Sequence, residues 1–123
     1  MMLLDSNLII YAAKPEYAEL RAFIGHESPS VSAVSRVEVL GYDQLTPEES
    51  QHFIAFFGEA EIFSISDAIV DRAILLRQLK KMKLGDALIA ATALVHGKTL
   101  ATHNTSDFAH IPGLSVFDPL VRT

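Results

Sequence analysis

The sequence predicts an α/β fold, with a central parallel sheet of four to five short strands and helices on both faces. Three observations predict it. Short apolar segments alternate with longer segments of helical periodicity, which favours a parallel sheet. The segment from Ala87 to His96 is apolar almost all round, as expected for a helix buried in the middle of a fold. The length of 123 residues suits one domain, residues 1–123, with no repeat or linker.

The first half of the chain contains two predicted strands and three predicted helices. The apolar run Met2 to Leu4 is a strand that stops at Asp5-Ser6-Asn7, three residues that favour helix N-caps. A helix follows until Pro15, and a second one, Glu16 to Ile24, is closed by Gly25. An extended piece over 29–32 then leads into a helix over 34–42.

The second half begins with a clear helix start, Thr46-Pro47-Glu48-Glu49, which predicts a helix through Phe57. Glu61 to Ile65 has the β-branched and aromatic content of a strand. Ser66 or Asp67 caps the next helix, and Gly97 ends the buried one. The helix that Ser66 or Asp67 caps has an apolar stripe of Ile69, Ala73, Leu76 and Leu79. The last two predicted strands are Thr99 to Thr102 and Leu114 to Phe117.

Composition excludes several classes of protein. With 50% hydrophobic and 20% charged residues the chain can build a core, and the absence of Cys excludes disulfides, thiolate zinc sites and Cys nucleophiles. The net charge of -5 argues against nucleic-acid binding through a broad basic face, unless something else supplies positive charge. No basic leader and no apolar run of about 20 residues is visible, so we expect a cytoplasmic protein with no membrane anchor.

Acidic side chains gather at one edge of the predicted sheet. Functional residues of open parallel sheets lie beyond the carboxyl ends of the strands, and four acids fall there or close by, namely Asp5, Glu38, Asp86 and Asp107. Each has a local explanation as a helix cap or first-turn acid; Glu38 fits a capping box with Ser35. Capping does not explain why carboxylates that repel one another are clustered, whereas a bound cation does. Oxygen ligands suit Mg²⁺ or Mn²⁺ and point to phosphoryl chemistry.

Competing motifs fail on inspection. Gly97-Lys98-Thr99 lacks the earlier glycine of a phosphate-binding loop, and it lies between a helix and a strand. The five histidines show no short ligand spacing. Neither a Gly-x-Ser-x-Gly elbow nor a Gly-x-Gly-x-x-Gly fingerprint is present. Hydrolase triads, dinucleotide binding and zinc sites therefore have no support.

Four blocks of sequence together carry a family resemblance. They are Leu3 to Asn7, Ser35 to Gly41, Leu84 to Ala93 and Leu100 to Phe108, and they are followed by Ile111 to Leu114. In this order and spacing they resemble the PIN-domain ribonucleases, more narrowly the VapC-type toxins of bacterial and archaeal toxin–antitoxin pairs. The resemblance covers essentially the whole chain and implies a single PIN-like domain.

The resemblance implies roles for particular residues. Asp5, Glu38 and Asp86 fall on acidic metal-site positions of the family, with Asp5 and Asp86 as the ligands of Mg²⁺ or Mn²⁺. The fourth position is either Asn104 or Asp107; we carry over Asp107 as the acid and Asn104 as a polar positioning residue. Ser6 and Thr102 flank the site and are expected to orient Asp5 through hydrogen bonds.

The resulting hypothesis is a metal-dependent endoribonuclease that leaves a 5′-phosphate and a 3′-hydroxyl, with an RNA substrate, a cognate antitoxin and a homodimeric state implied by the family. Two alternatives stay open: a non-catalytic module that binds a basic partner segment, and a small metal-dependent phosphohydrolase. Two surface features remain to be placed. A basic strip leads up to Asp86 and comprises Arg72, Arg77, Lys80, Lys81 and Lys83. An aromatic stripe is a candidate dimer face and comprises Phe53, Phe56 and Phe57.

Overall fold

Five short strands alternate with six helices in the computed structural model, which describes residues 1–121. The strands are β1 Met2–Leu4, β2 Val31–Ser32, β3 Ile62–Phe63, β4 Thr99–Ala101 and β5 Val116–Phe117. The helices are α1 Ser6–Ala12, α2 Ala18–Glu27, α3 Ala33–Leu40, α4 Pro47–Glu59, α5 Asp67–Leu79 and α6 Leu84–Val95. Two 3₁₀ turns cover Pro15–Tyr17 and Thr105–Asp107.

All the strand pairings are parallel, as the sequence predicted. A three-stranded sheet has the order β1-β4-β5, and β2 pairs with β3 in a second, two-stranded sheet. A parallel bridge between Leu3 and Ser30 joins the two sheets, with Leu4 N–H donating to Ser30 O at 2.8 Å. The strands therefore follow one another in the order β3-β2-β1-β4-β5, although most of them are shorter than the apolar segments that predicted them.

The core is divided by the sheet into two clusters. Successive strand residues point to opposite faces, so Leu3 and Leu100 pack on one side with α5 and α6, while Leu4 and Ala101 pack on the other with α1, α2 and α4. Helix α6 is the buried helix that the sequence predicted; its fully or almost fully buried residues are Ala87, Ile89, Ala90, Ala91, Thr92 and Ala93. The prediction of helices on both faces is confirmed.

Local capping signals fix several helix ends. Thr46 and Glu49 form a reciprocal capping box at the start of α4, with both hydrogen bonds at 3.1 Å. Ser66 accepts the Ile69 N–H at the start of α5. Gly97, which follows α6, has a φ of 64°, a left-handed conformation that glycine adopts without strain. No helix within residues 1–121 is long and apolar enough to cross a membrane.

Two predictions about the ends of α2 and α5 were wrong. Gly25 lies inside α2, which runs to Glu27 and ends at Ser28, a left-handed residue with a φ of 46°. Leu79 is 64% exposed, because α5 is ending there and its buried stripe stops at Leu76. Of the aromatic stripe, Phe53 and Phe57 are core residues at 1% and 5% exposure, whereas Phe56 is partly exposed.

The position of Gly25 gives a test of helix α2. A Cβ at this position would meet no atom within 4 Å, so Gly25→Ala should raise the free energy of unfolding by about 0.5–1 kcal/mol through helix propensity. Urea denaturation measures the change. Gly97→Ala is the matched control and should destabilise, because φ there is positive. A Gly25→Ala protein less stable than the wild type would mean that the helix ends at Gly25 after all.

Candidate metal centre

Asp5 occupies the carboxyl end of β1, where the sheet passes directly into α1. Its N–H donates to Ala101 O at 2.9 Å, which continues the pairing of β1 with β4 by one residue. The side chain is only 4% exposed, and its Oδ2 accepts a hydrogen bond from Thr102 Oγ1 at 2.7 Å. Thr102 is itself fully buried at the end of β4. The pairing of two strands therefore places a carboxylate and its hydroxyl partner side by side.

The pKa of the Asp5 carboxyl is raised from 3.8 to about 6. Burial is the largest cause, and the negative charges of Asp86 and Glu38 raise it further. Both influences that lower it, within residues 1–121, are hydrogen bonds: one from the Thr102 hydroxyl and one from the Ser6 backbone. Asp5 is therefore a buried acid whose charged form the protein itself stabilises poorly.

Asp86 lies in the first turn of α6 and is half-buried. Its pKa is also raised, first by burial and then by the charges of Asp107 and Glu38, while Lys83 opposes the shift. The charge of Asp86 thus raises the pKa of Asp5, and the charge of Glu38 raises the pKa of both. The structure brings all four acids named from the sequence into one electrostatic cluster.

Glu38 is exposed on α3 and is held by α1. Its Oε1 accepts a hydrogen bond from Ser6 Oγ at 2.8 Å, and Ser6 Oγ also lies 2.9 Å from the buried Ser35 Oγ. The predicted capping box of Ser35 and Glu38 is wrong, because α3 begins earlier and its N-cap is Ser32, which accepts the Val34 N–H at 3.1 Å. The Ser6 hydroxyl was expected to orient Asp5 and instead contacts Glu38.

Gly85 has a role that sequence reasoning missed. A Cβ at this position would stand 2.6 Å from Glu38 Oε2, closer than real Cβ atoms come. The glycine therefore lets the start of α6 approach the Glu38 carboxylate, next to Asp86. The available signal was a glycine directly before the acid in a helix that is otherwise rich in Ala, Leu and Ile.

The two candidates for the fourth position lie in different environments. Asn104 donates its backbone N–H to Thr102 Oγ1 at 3.1 Å, so it supports the hydroxyl that binds Asp5. Asp107 is exposed in the 3₁₀ turn and donates its N–H to Asn104 O at 3.0 Å. Because its charge raises the Asp86 pKa, Asp107 is the acid that reaches the cluster.

The donor set suits a hydrated hard cation. Within residues 1–121, no group of three acidic or histidine side chains is arranged to hold a metal ion by itself. Mg²⁺ does not require such a cage, since it commonly binds one or two carboxylates and keeps several waters. A divalent ion between Asp5 and Asp86 would also offset the repulsion that raises both pKa values.

The predicted basic strip is only partly directed at this site. Lys83 acts on Asp86, whereas Arg77 donates its Nε–H to Met82 O at 3.3 Å and so fastens the loop before α6. Arg72, Lys80 and Lys81 are exposed. One cation of the strip therefore acts on the acidic cluster, and a second shapes the loop beside it.

Comparison with known proteins gives one family. The family model of the PIN domain matches residues 2–114. The ribonuclease VapC1 of Rickettsia felis is 42% identical over 60 residues, which are 49% of this chain and 42% of that protein, so the matched segment spans less than half of the relative.

Solved structures match over the whole fold. A chain of a toxin–antitoxin complex from Klebsiella pneumoniae is 32% identical, with 97% of this chain and 98% of that chain covered and a TM-score of 0.78. A chain of the DNA-bound VapBC of Salmonella typhimurium has a TM-score of 0.82 over 96% of this chain and 97% of its own length. At 21% identity, the second likeness concerns the fold alone.

The Asp5 environment predicts a specific dependence of stability on pH in metal-free buffer. Because the folded protein holds the Asp5 proton more tightly than the unfolded chain, stability should fall as pH rises from about 4 to about 6. The difference between 3.8 and about 6 corresponds to about 3 kcal/mol. Asn removes the charge and keeps an acceptor for the Thr102 hydroxyl. As the pH rises from 4 to 7, the free energy of unfolding of Asp5→Asn should therefore increase by about 3 kcal/mol relative to that of the wild type.

Urea denaturation at several pH values measures this difference. Asp71→Asn, the same change at an exposed position of α5, is the control and should follow the wild-type profile. Parallel profiles for the wild type and Asp5→Asn would contradict the assignment of a costly buried charge to Asp5.

Proposed function

This chain belongs to the PIN domain family, and we propose that it is a metal-dependent endoribonuclease, the toxin of a type II toxin–antitoxin system. The observation that carries the proposal is the buried Asp5 carboxylate, whose pKa is raised to about 6 by burial and by the charges of Asp86 and Glu38, so that a bound cation would stabilise its charged form. The relative named ribonuclease VapC1 and the match to a toxin–antitoxin complex support the activity and the biological role. Hydrolysis of an RNA phosphodiester bond by water is the reaction.

In this proposal Asp5 and Asp86 hold Mg²⁺ or Mn²⁺, and Asp107 completes the acidic shell. The ion, when bound, makes water more acidic and stabilises negative charge on phosphate oxygens. Glu38 orients the attacking water, and the hydrogen bond from Ser6 to Oε1 fixes its carboxylate while Oε2 remains available. The water oxygen bonds to phosphorus as the bond from phosphorus to the 3′ oxygen breaks. The water releases a proton to solvent and the leaving oxygen takes one up, which leaves a 5′-phosphate and a 3′-hydroxyl.

Hydrogen bonds from neighbouring residues hold the acids in place. Thr102 holds Asp5 through Oδ2 and so restricts the orientation of the carboxylate that would bind the cation. Asn104 supports the Thr102 hydroxyl through its backbone. Ser6 serves both acids, since its backbone acts on Asp5 and its hydroxyl donates to Glu38. Loss of one hydrogen bond in this set should therefore disturb more than one acid.

Two protein partners are part of the proposal. A cognate antitoxin is supported by the 32% identical chain of a toxin–antitoxin complex, and by an acidic site that would accept a basic side chain in place of the metal. A homodimer is supported by an exposed apolar face on α5, where Ile74, Leu75 and Leu79 are 50%, 56% and 64% exposed. The buried Phe53 and Phe57 have no part in it.

Cleavage of RNA tests the activity. We expect RNA cleavage with Mg²⁺ or Mn²⁺, none with EDTA, and a loss on the order of 100-fold or more in Asp5→Asn and in Asp86→Asn. Asp71→Asn should cleave at the wild-type rate, since Asp71 is exposed on α5. The rate of product formation from a labelled RNA is measured for the wild type, Asp5→Asn, Asp86→Asn and Asp71→Asn.

Three results would redirect the proposal. Wild-type rates in Asp5→Asn with metal present would remove the assigned site. No cleavage of any RNA would favour the non-catalytic module, and faster hydrolysis of a generic phosphoester than of RNA would favour a phosphohydrolase.

Thermal melting tests the metal independently of catalysis. Millimolar Mn²⁺ should raise the melting midpoint of the wild type, because an ion that binds only the folded state stabilises it by about 2.7 kcal/mol at a hundred times its dissociation constant. Asp71→Asn should show the same rise, and Asp5→Asn should show little or none, although it starts from a higher midpoint without metal at pH 7. An equal rise in all three proteins would place the binding elsewhere.

A further inference from the structure

Both carboxylate oxygens of Glu38 are approached by another helix. Ser6 Oγ, at the start of α1, lies 2.8 Å from Oε1. Gly85, at the start of α6, lies so close to Oε2 that a Cβ on it would stand only 2.6 Å away. Glu38 itself is exposed on α3, and the carboxylate of an exposed glutamate ordinarily samples several rotamers. These two contacts therefore restrict a side chain that would otherwise be mobile.

The buried hydroxyl of Ser35 determines where the Ser6 proton points. Ser35 Oγ lies 2.9 Å from Ser6 Oγ, and among residues 1–121 it has no other hydrogen-bond partner. A hydroxyl carries one proton, and an ionised carboxylate can only accept. Ser6 therefore donates its proton to Glu38, and the Ser35 hydroxyl donates to Ser6. In a chain of this kind each hydrogen bond polarises the next one.

Packing offers a simpler explanation for both features. The bond between Ser6 and Ser35 ties α1 to α3, and a glycine at position 85 lets α6 lie close to α3. Packing alone does not explain why the chain of hydroxyls ends on an exposed carboxylate. Nor does it explain what the Cβ at position 85 would meet, since the three nearest atoms are Oε2, Cδ and Oε1 of Glu38, with no backbone atom among them.

We propose that Ser35 and Gly85 are positioning residues, which fix the Glu38 carboxylate where it orients the attacking water. Ser35 acts on Oε1 through the Ser6 proton, and the missing side chain of Gly85 leaves room for Oε2. The inference rests on the proposed nuclease function and deepens it. It extends the machinery of the site to two residues that contact neither the substrate nor the metal in the proposed reaction.

Gly85→Ala separates positioning from stability. Gly85 lies in the first turn of α6 and its φ is not positive, so alanine suits the backbone and the urea midpoint should equal or exceed that of the wild type. The new methyl group displaces the carboxylate that Ser6 holds. With a labelled RNA and Mn²⁺, kcat should therefore fall about 100-fold, with KM within about twofold of the wild type.

Gly58→Ala is the matched control for this glycine. Gly58 is also inside a helix, α4, and a Cβ there would meet no atom within 4 Å. The variant should cleave the same RNA at the wild-type rate. An unchanged kcat in Gly85→Ala as well would remove Gly85 from the proposal.

A double-mutant comparison tests the chain of hydroxyls. Ser35→Ala should lower kcat about 10-fold and leave KM within about twofold of the wild type. In a Ser6→Ala background the same substitution should have no further effect, because the path from Ser35 to Glu38 is already broken. An equal loss of kcat in both backgrounds would mean that Ser35 acts through packing, and would remove it from the proposal.

The position of Glu38 can also be followed without cleavage. The protein is labelled with ¹³C at its glutamate carboxyl carbons and kept in EDTA, and the Glu38 signal is the one that Glu38→Gln removes. Because this chemical shift reports the hydrogen bonds of the carboxylate, the signal should move in Ser35→Ala and in Gly85→Ala. It should stay in place in Gly58→Ala.

The outcomes distinguish this inference from the proposed function. A Glu38 signal that stays in place in both variants, or that moves while kcat is unchanged, would overturn the inference even though the wild type cleaves RNA. A signal that stays in place in one variant would remove that residue. If the signal moved in both and the wild type cleaved no RNA with Mn²⁺, the proposed activity would fall, and the positioning of Glu38 by Ser35 and Gly85 would stand.

Discussion

Burial of one carboxylate is the constraint on which the site depends. Asp5 is placed beside Thr102 by the register of β1 against β4 and is covered at once by α1, so its carboxyl group has lost most of its water. Hydrogen bonds recover only part of that loss, and the charges of Asp86 and Glu38 add to it. A divalent ion bound there, as proposed, would make this arrangement favourable and would link metal binding to the stability of the folded state.

Net charge is a poor guide to what this surface binds. A sum of -5 disfavours a wide basic face, but it includes the acids that a divalent ion would partly neutralise. The cation that acts on the cluster is Lys83, beside Asp86. Because four acids outnumber this lysine, contact between the site and a phosphate strand would depend on the divalent ion.

Contacts between residues within one turn of helix could be predicted from the sequence, whereas contacts between distant residues could not. Thr46 and Glu49 satisfy each other across three positions, so their capping box was visible. Ser35 and Glu38 have the same spacing, yet Ser6 takes Glu38 from 32 residues away and α3 starts a turn earlier. Asp5, Asp86 and Asp107 could be named because each follows or opens an element, and Glu38, inside α3, was named through the family resemblance of its block. The fit of Gly85 against Glu38 exists only after α3 and α6 pack together.

Two neighbouring side chains at the end of β4 lie in different environments. Thr102 still makes the sheet hydrogen bond of an extended strand, with its N–H donating to Phe117 O at 2.9 Å, so consecutive side chains there point to opposite sides. Thr102 points inward to Asp5, and His103 points outward to Tyr11. A shift of β4 by one residue would exchange these two environments, bury an imidazole against the acids and expose the threonine. The register of this single strand therefore determines which side chain holds the acid that is proposed to bind the metal.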